Sequence, residues 1–171
     1  MITEVGRNIA RFVLLVFLQL FVLNNIQFSG FVNPYLYVLF ILLLPFEVSG
    51  WFMLILAFIL GLVIDVASAT IGYHTIATVF MAYVRFHLLR FIAPRDGYEP
   101  GMSPALQSLG LSWFFKYASI LTLAHHLILF WVESFRFGDL LPATFRALCS
   151  SIFTILLIFI YQILSTRQNR Q

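Results

Sequence analysis

The sequence predicts an all-α fold, an integral membrane bundle of six transmembrane helices that forms one domain over residues 1–171. Three observations support this prediction. Hydrophobic residues make up 61% of the chain and charged residues only 10%, whereas a soluble domain has about 25% charged residues. The apolar residues form six runs, separated by short segments rich in Pro, Gly, Asn or charge. The remaining length leaves no room for a second, soluble domain.

The six predicted spans cover residues 9–28, 34–46, 51–68, 72–92, 111–132 and 142–164. Five of them have about the 20 residues that cross a bilayer, whereas the second is short. Pro34 suits the start of this second helix, and Pro45 suits a kink or a stop before Glu47. A re-entrant or partly buried helix is therefore an alternative for the segment.

The distribution of positive charge predicts the orientation of the bundle. If all six spans cross, both termini and the long loop at residues 93–110 lie on one side. That side collects Arg7, Arg11, Arg90, Arg95, Lys116, Arg167 and Arg170, whereas Arg136 lies on the other. Because Lys and Arg are enriched in cytoplasmic segments, both termini are predicted to be cytoplasmic. A five-span arrangement would divide the charged ends between two sides.

An aspartate, Asp65, interrupts the third predicted span. An ionisable residue within a bilayer costs about 2.5–3.5 kcal/mol on insertion scales, so it requires a partner or a wet cavity. Ala57, Gly61 and Ser68 share its helix face. These small residues form a ridge that allows another helix to approach closely. A short break at residues 69–72 then precedes the next apolar run.

A second polar stripe lies on the sixth predicted span, where Arg146, Ser150 and Thr154 follow at a spacing of four. Asp65 and Arg146 are predicted to share the outer third of the bilayer with His74, His125 and His126. We expect Asp65 to pair with Arg146 or with one of these histidines. We expect either the ridge or the stripe to pack within the bundle, while another face receives a partner helix. As an alternative to holding helices together, the polar residues of the outer third could line an outward-facing cavity that takes a ligand or a partner's helix.

The candidate residues do not indicate an enzyme or a cofactor site. His125 and His126 are adjacent, so they point about 100° apart on a helix, and Glu133 lies two turns away, which disfavours a metal site. The sequence has no Gly-x-Ser-x-Gly elbow and no phosphate-binding glycine loop. We expect Arg85 to extend to the cytoplasmic interface. The cytoplasmic rim formed by Glu47, Arg90, Arg95 and Lys116 suits either anionic lipid or a cytoplasmic partner, and no nucleic-acid partner is predicted.

The sequence GLVID at residues 61–65, followed by GYH at residues 72–74 and a second apolar helix, resembles the central signature of the MreD family. The resemblance extends over nearly the whole chain through its length, its number of apolar runs and the proline of the second run. MreD is a membrane subunit of the bacterial rod-shape machinery. The structural or partner-binding residues that follow from the signature and the pattern of polar residues are Gly61, Asp65, Ser68, Gly72, His74, Arg146, Pro45 and Glu47.

The resemblance implies a non-enzymatic scaffold in the bacterial cytoplasmic (inner) membrane. The partners that it implies are a bitopic MreC-like protein, the MreB filament system, and RodA with its penicillin-binding transpeptidase. Such a scaffold supports lateral peptidoglycan synthesis and cell shape. The family is also similar in fold to the substrate-binding subunits of energy-coupling-factor transporters. The alternative function is therefore that of a membrane subunit that binds a small molecule such as a vitamin.

Overall fold

The computed structural model describes residues 2–25, 32–99, 101–135 and 139–168. Over these residues the secondary structure is helical and no strand is formed, which confirms the all-α prediction. The predicted end of the first span at residues 26–28 lies outside the described residues, as do Arg136 and Arg170.

Six α-helices follow one another in the described part of the chain. They are α1 (Ile2–Phe21), α2 (Leu39–Leu42), α3 (Gly50–Ser68), α4 (Tyr73–Phe91), α5 (Leu106–Ser134) and α6 (Leu140–Gln168). Short 3₁₀ turns follow α1 at Leu23–Asn25 and precede α2 at Leu36–Val38. Gly110 breaks α5 after its first turn, with φ 80° and ψ 169°, a conformation that glycine adopts without steric cost.

Four segments are long and apolar enough to cross a membrane: Val5–Asn25, Gly50–Ser68, Leu106–Ser134 and Leu140–Ser165. By length and composition the chain is thus a multi-pass membrane protein, but six crossings are not confirmed. The helix α4 is as long as α3, with 19 residues. Its sequence is less apolar because it carries Arg85, His87 and Arg90.

The helices α3 and α4 form an antiparallel hairpin whose turn is residues 69–72. Near this turn the Asp65 carboxylate bonds to Thr75. At the opposite end of the hairpin the Arg85 guanidinium lies 2.8 Å from the sulfur of Met53. Contacts at both ends show that α4 runs beside α3 over its whole length.

A second antiparallel pair, α5 and α6, completes the bundle. Arg146 near the start of α6 lies 3.4 Å from Glu133 near the end of α5, and further along α6 the ring of Phe159 packs edge-on against Phe114. We call the end with the α3–α4 turn the hairpin end. The other end, where Arg11, Arg90 and Arg95 lie, is the arginine end. The start of α1 and the end of α6 are both at the arginine end.

The helix predicted over residues 34–46 is shorter in the structure. It consists of seven helical residues, three in the second 3₁₀ turn and four in α2. Tyr35 packs against the His74 ring at 5.2 Å, whereas the Leu44 carbonyl accepts a hydrogen bond from Arg85. His74 and Arg85 are eleven residues apart on α4, which corresponds to about 16 Å. We call residues 34–44 the central segment, because none of residues 35–44 is more than 9% exposed. Irregular backbone is tolerated at membrane depth when protein surrounds it.

Candidate functional site

The Asp65 carboxylate caps the N-terminus of α4. It accepts main-chain N–H bonds from His74 at 3.1 Å and Thr75 at 2.8 Å. It also accepts the hydroxyls of Thr70 and Thr75. The first N–H groups of a helix have no intrahelical partner and carry partial positive charge, so a carboxylate is stabilised there. Asp65, at 2% exposure, is therefore satisfied without a cation.

The predicted pairing of Asp65 with Arg146 or with a histidine side chain is wrong. Within the described residues, the bonds of Asp65 go to hydroxyls and main-chain N–H groups, including that of His74 but not its ring. The Arg146 guanidinium lies 3.4 Å from Glu133 and 4.6 Å from the centre of the Phe130 ring. Equal depth on two helices did not bring the two residues into contact.

Gly61 lets α3 and α4 approach closely. A Cβ atom at Gly61 would lie 2.4 Å from Cα of Thr75, well inside van der Waals contact. Next to this contact, the Thr78 hydroxyl lies 2.9 Å from the Ala57 carbonyl and so joins the two helices. The predicted ridge thus packs against α4, and Ser68 at its end accepts a hydrogen bond from Asn24 at 3.4 Å.

Polar side chains of α1 and α6 hold the hairpin-end half of the central segment. The main-chain N–H of Leu36 donates to Gln19 at 2.9 Å, and Gln19 donates in turn to the Pro34 carbonyl at 3.0 Å. The N–H of Tyr35 donates to the Thr154 hydroxyl at 3.0 Å. The Ser150 hydroxyl accepts a hydrogen bond at 3.2 Å from the main-chain N–H of Asn33, the residue just before the central segment. The stripe on α6 therefore also packs within the bundle.

Cationic and phenolic side chains hold the arginine-end half of the central segment. Arg85 donates to the Leu44 carbonyl, and Tyr117 donates to the Leu42 carbonyl at 2.8 Å. Arg11 donates to the Leu43 carbonyl at 3.3 Å. The expectation that Arg85 extends to the interface is wrong, because its side chain is buried at 1% exposure.

A cluster of tyrosine and histidine lies in the core beside Asp65. The Tyr37 hydroxyl lies 2.7 Å from Nδ1 of His74 and 2.9 Å from Nε2 of His125. Nδ1 of His125 is buried and has no hydrogen-bond partner among the described residues. Because an unpaired buried N–H is rarer than an unpaired acceptor, we place the His125 proton on Nε2. His125 then donates to Tyr37, and Tyr37 donates to His74.

His126, the neighbour of His125, is engaged separately. Its Nδ1 lies 2.8 Å from the Thr122 carbonyl and its Nε2 lies 3.0 Å from the Thr154 hydroxyl. The two adjacent histidines thus bond to different parts of the bundle, His125 to the central segment and His126 to α6, as their angular separation requires. Among the described residues no group of three or more His, Cys, Asp or Glu could hold a metal ion.

A polar pocket of about 260 Å³ opens at the hairpin end. Its walls come from the end of α1, the start of the central segment and the α3–α4 turn. The described residues that line it are Leu23, Asn24, Asn33, Pro34, Tyr35, Ser68, Thr70 and His74. Of the predicted outward cluster, His74 lines the pocket, whereas His125, His126 and Arg146 do not. The chain His74–Tyr37–His125 therefore leads from this pocket into the core.

Pro45 and Glu47 lie in the turn that joins the central segment to α3. The Pro45 carbonyl accepts the main-chain N–H of Val48 at 3.4 Å. The exposed Glu47 carboxylate accepts the main-chain N–H of Gly101. Glu47 thus fastens the long loop to the arginine end of the bundle.

The same loop is anchored by Tyr98, whose ring stacks on Phe46 at 4.0 Å. Its hydroxyl donates to the Leu89 carbonyl at 2.8 Å. Burial raises the pKa of Tyr98 to about 12.

Sequence reasoning missed several of these buried residues. Tyr35, Tyr37 and Tyr117 lie deep in the bundle, whereas tyrosine in membrane proteins is usually enriched at the interfaces. A signal exists only for Tyr117, which lies in the apolar run that also contains His125 and His126, whereas the run over residues 34–46 contains no His or Arg to mark Tyr35 and Tyr37. Among the polar residues noted in the sequence, those that are buried are Asp65, His74, His125, His126, Ser150 and Thr154.

Comparisons with family models, curated proteins and solved structures find no match for this chain. The signature residues nevertheless form one structural unit. Gly61 and Asp65 on α3 contact the first turns of α4, and Gly72 precedes that helix with φ 79°.

Proposed function

We propose that this chain is a non-enzymatic membrane scaffold of the bacterial cell-elongation machinery, of the MreD type. In this proposal it crosses the cytoplasmic membrane six times, with the central segment as the short second crossing. Both termini and the arginine end face the cytoplasm. Its partners are an MreC-like bitopic protein, the MreB filament system, and RodA with its transpeptidase.

The observation that carries this proposal is that Asp65 of the signature and several other buried polar residues bond to the protein's own backbone. Asp65 caps α4, while Gln19, Thr154 and Arg85 hold main-chain groups of the central segment. Polar side chains that hold main-chain groups in the core help to make it rigid and specific. Such a bundle suits a protein that presents fixed surfaces to partners within the bilayer.

The partner's helix must use a surface other than the ridge or the stripe, because both pack internally. The helix α1 is the least covered of the candidate spans, with 11% of its most apolar window buried against 33–44% in the others. Val13 and Phe17 are exposed on it. We therefore place the single helix of an MreC-like partner against α1.

Photocrosslinking tests this placement. A crosslinking amino acid at Phe17 is expected to capture the co-expressed single-span partner, whereas the same residue at Ile152, 63% exposed on α6, is not. Equal capture at both positions would argue against α1 as the binding face.

Depletion tests the function itself. Loss of the protein from a rod-shaped host is expected to make the cells round, while the synthase keeps its intrinsic activity in detergent. Co-purification is expected to recover a single-span partner with a periplasmic domain. Depleted cells that kept their shape would contradict the proposal.

A second function, binding of a small molecule such as a vitamin, is favoured by the polar pocket at the hairpin end. With about 260 Å³ and side chains such as Asn24 and His74 on its walls, it offers both hydrogen-bond donors and acceptors. Co-purification of an ATPase module with a bound vitamin would favour this function. Loss of uptake of one vitamin on depletion would replace the scaffold proposal by it.

A further inference from the structure

A larger pocket lies at the arginine end, between the start of α3 and the end of α4. Its volume is about 480 Å³, within the range of sites that hold small ligands. Its lining is mostly apolar, with Phe46, Met53 and Leu89 among its walls. Two cationic side chains, Arg85 and Arg90, also line it.

Arg85 is a buried cation without a counter-ion among the described residues. Its guanidinium bonds to the Tyr117 hydroxyl at 2.7 Å, to the Leu44 carbonyl and to the Met53 sulfur, all of which are neutral. A thioether is a weak acceptor, and two of the five guanidinium N–H groups have no bond to a described residue. Burial of a charge is costly unless an opposite charge compensates it. The site therefore favours an anion near Arg85.

Arg90 supplies a second positive charge at the mouth of the same pocket. Its side chain is exposed, and its guanidinium lies 4.0 Å from the centre of the Phe86 ring. Phe86 also lines an adjoining apolar groove of about 270 Å³, together with Trp51, Leu54 and Ala82. Two cations beside a continuous apolar surface are complementary to an amphiphile with an anionic head.

We propose that this pocket binds the phosphate of an anionic phospholipid from the leaflet at the arginine end. Arg85 and Arg90 contact the phosphate, and an acyl chain lies in the groove beside Phe86. Arginine suits this role because its planar guanidinium donates two parallel hydrogen bonds to phosphate. The proposal depends on the chain lying in a membrane, and it holds for a scaffold and for a transporter subunit alike.

Lipid titration of the delipidated protein in detergent tests this proposal. Phosphatidylglycerol is expected to raise the melting temperature, and native mass spectrometry is expected to retain it on the protein. Phosphatidylcholine, which has no net charge, and inorganic phosphate are expected to produce smaller shifts at matched concentration. An equal shift with phosphatidylcholine would overturn the proposal. An equal shift with inorganic phosphate would replace the lipid by a free anion and overturn it too.

Variants that leave the internal hydrogen bonds intact locate the site. Arg90→Gln is expected to weaken apparent phosphatidylglycerol affinity about fivefold, the effect of one basic residue near an anionic surface. Ser49→Trp, at the pocket wall, is expected to block binding, and the Ser49 side chain makes no capping bond that this would remove. Arg95→Gln is the matched control, because Arg95 is exposed and lies outside the pocket. If Arg95→Gln weakened binding as much as Arg90→Gln, the attraction would be non-specific and the proposed site wrong.

Discussion

The Oδ2 atom of Asp65 accepts the main-chain N–H of Thr75 at 2.8 Å, so the end of α3 caps the start of α4. A buried carboxylate and unpaired helix N–H groups are each costly within a bilayer. Here the Asp65 carboxylate bonds to the N–H groups at the start of α4, so neither is left without a partner. The carboxylate and the helix terminus stabilise each other. The four-residue turn between the helices keeps them within reach.

Replacement of Asp65 by Ala is expected to destabilise the protein by about 1–3 kcal/mol, the cost of leaving buried donors without partners. The melting temperature in detergent measures this effect. Asp96→Ala is the matched control, because Asp96 lies exposed in the long loop and the same charge is lost. Equal melting temperatures for the two variants would contradict the capping role.

The double variant Asp65→Ala/Arg146→Ala is expected to show additive losses. The two side chains share no hydrogen bond or ion pair, because Asp65 bonds within the α3–α4 hairpin and Arg146 lies beside Glu133. Effects at independent sites add within about 0.5 kcal/mol. A coupling energy above about 1 kcal/mol, measured from the four melting curves, would restore the pairing expected from the sequence.

Gly61→Ala is expected to destabilise the protein by about 1–3 kcal/mol, as overpacking of a tight core does. The new methyl group would overlap the backbone of Thr75, which cannot rotate away as a side chain could. Gly6→Ala is the matched control, since no atom lies within 4 Å of a Cβ at Gly6 on α1. That substitution is expected to be neutral or to stabilise slightly, because Ala favours a helix. A neutral Gly61→Ala would show that α3 and α4 are further apart.

Tyr37→Phe is expected to lower the melting temperature, since it leaves imidazole nitrogens of His74 and His125 without their buried partner. Tyr83→Phe removes a hydroxyl from an exposed tyrosine of α4 and serves as its control. If the two variants melted alike, the hydroxyl would contribute nothing to the core.

Some of this arrangement could be predicted from the sequence. The turn between α3 and α4 was predicted at residues 69–72 because polar and small residues interrupt two apolar runs there. The sequence also predicts that either the ridge or the stripe packs within the bundle, because small and polar helix faces suit close helix contact, and in the structure both do. These inferences depend on local spacing and on burial, which sequence patterns report directly.

The partners of the buried charges could not be predicted. Asp65 bonds to main-chain N–H groups, and every residue except proline carries such a group, so no sequence pattern marks it. Arg85 lies only six residues from the end of α4, and a long side chain at that position usually extends to the interface. The buried Leu44 carbonyl holds the Arg85 side chain inside the bundle. This carbonyl can accept the bond because the central segment is not a continuous helix, so no intrahelical N–H occupies it.

The last prediction concerns topology, that is, which end of the bundle faces the outside of the cell. The turn residue Ile71 is 85% exposed at the hairpin end, whereas Asp96 is exposed at the arginine end. In a Cys149→Ser background, a membrane-impermeant maleimide is expected to label Ile71→Cys in intact cells. Asp96→Cys is expected to react only after the cells are permeabilised, because the arginine end is predicted to be cytoplasmic. Labelling of both positions from outside would mean that α4 does not cross the membrane, and labelling of Asp96→Cys alone would mean that the bundle is inverted.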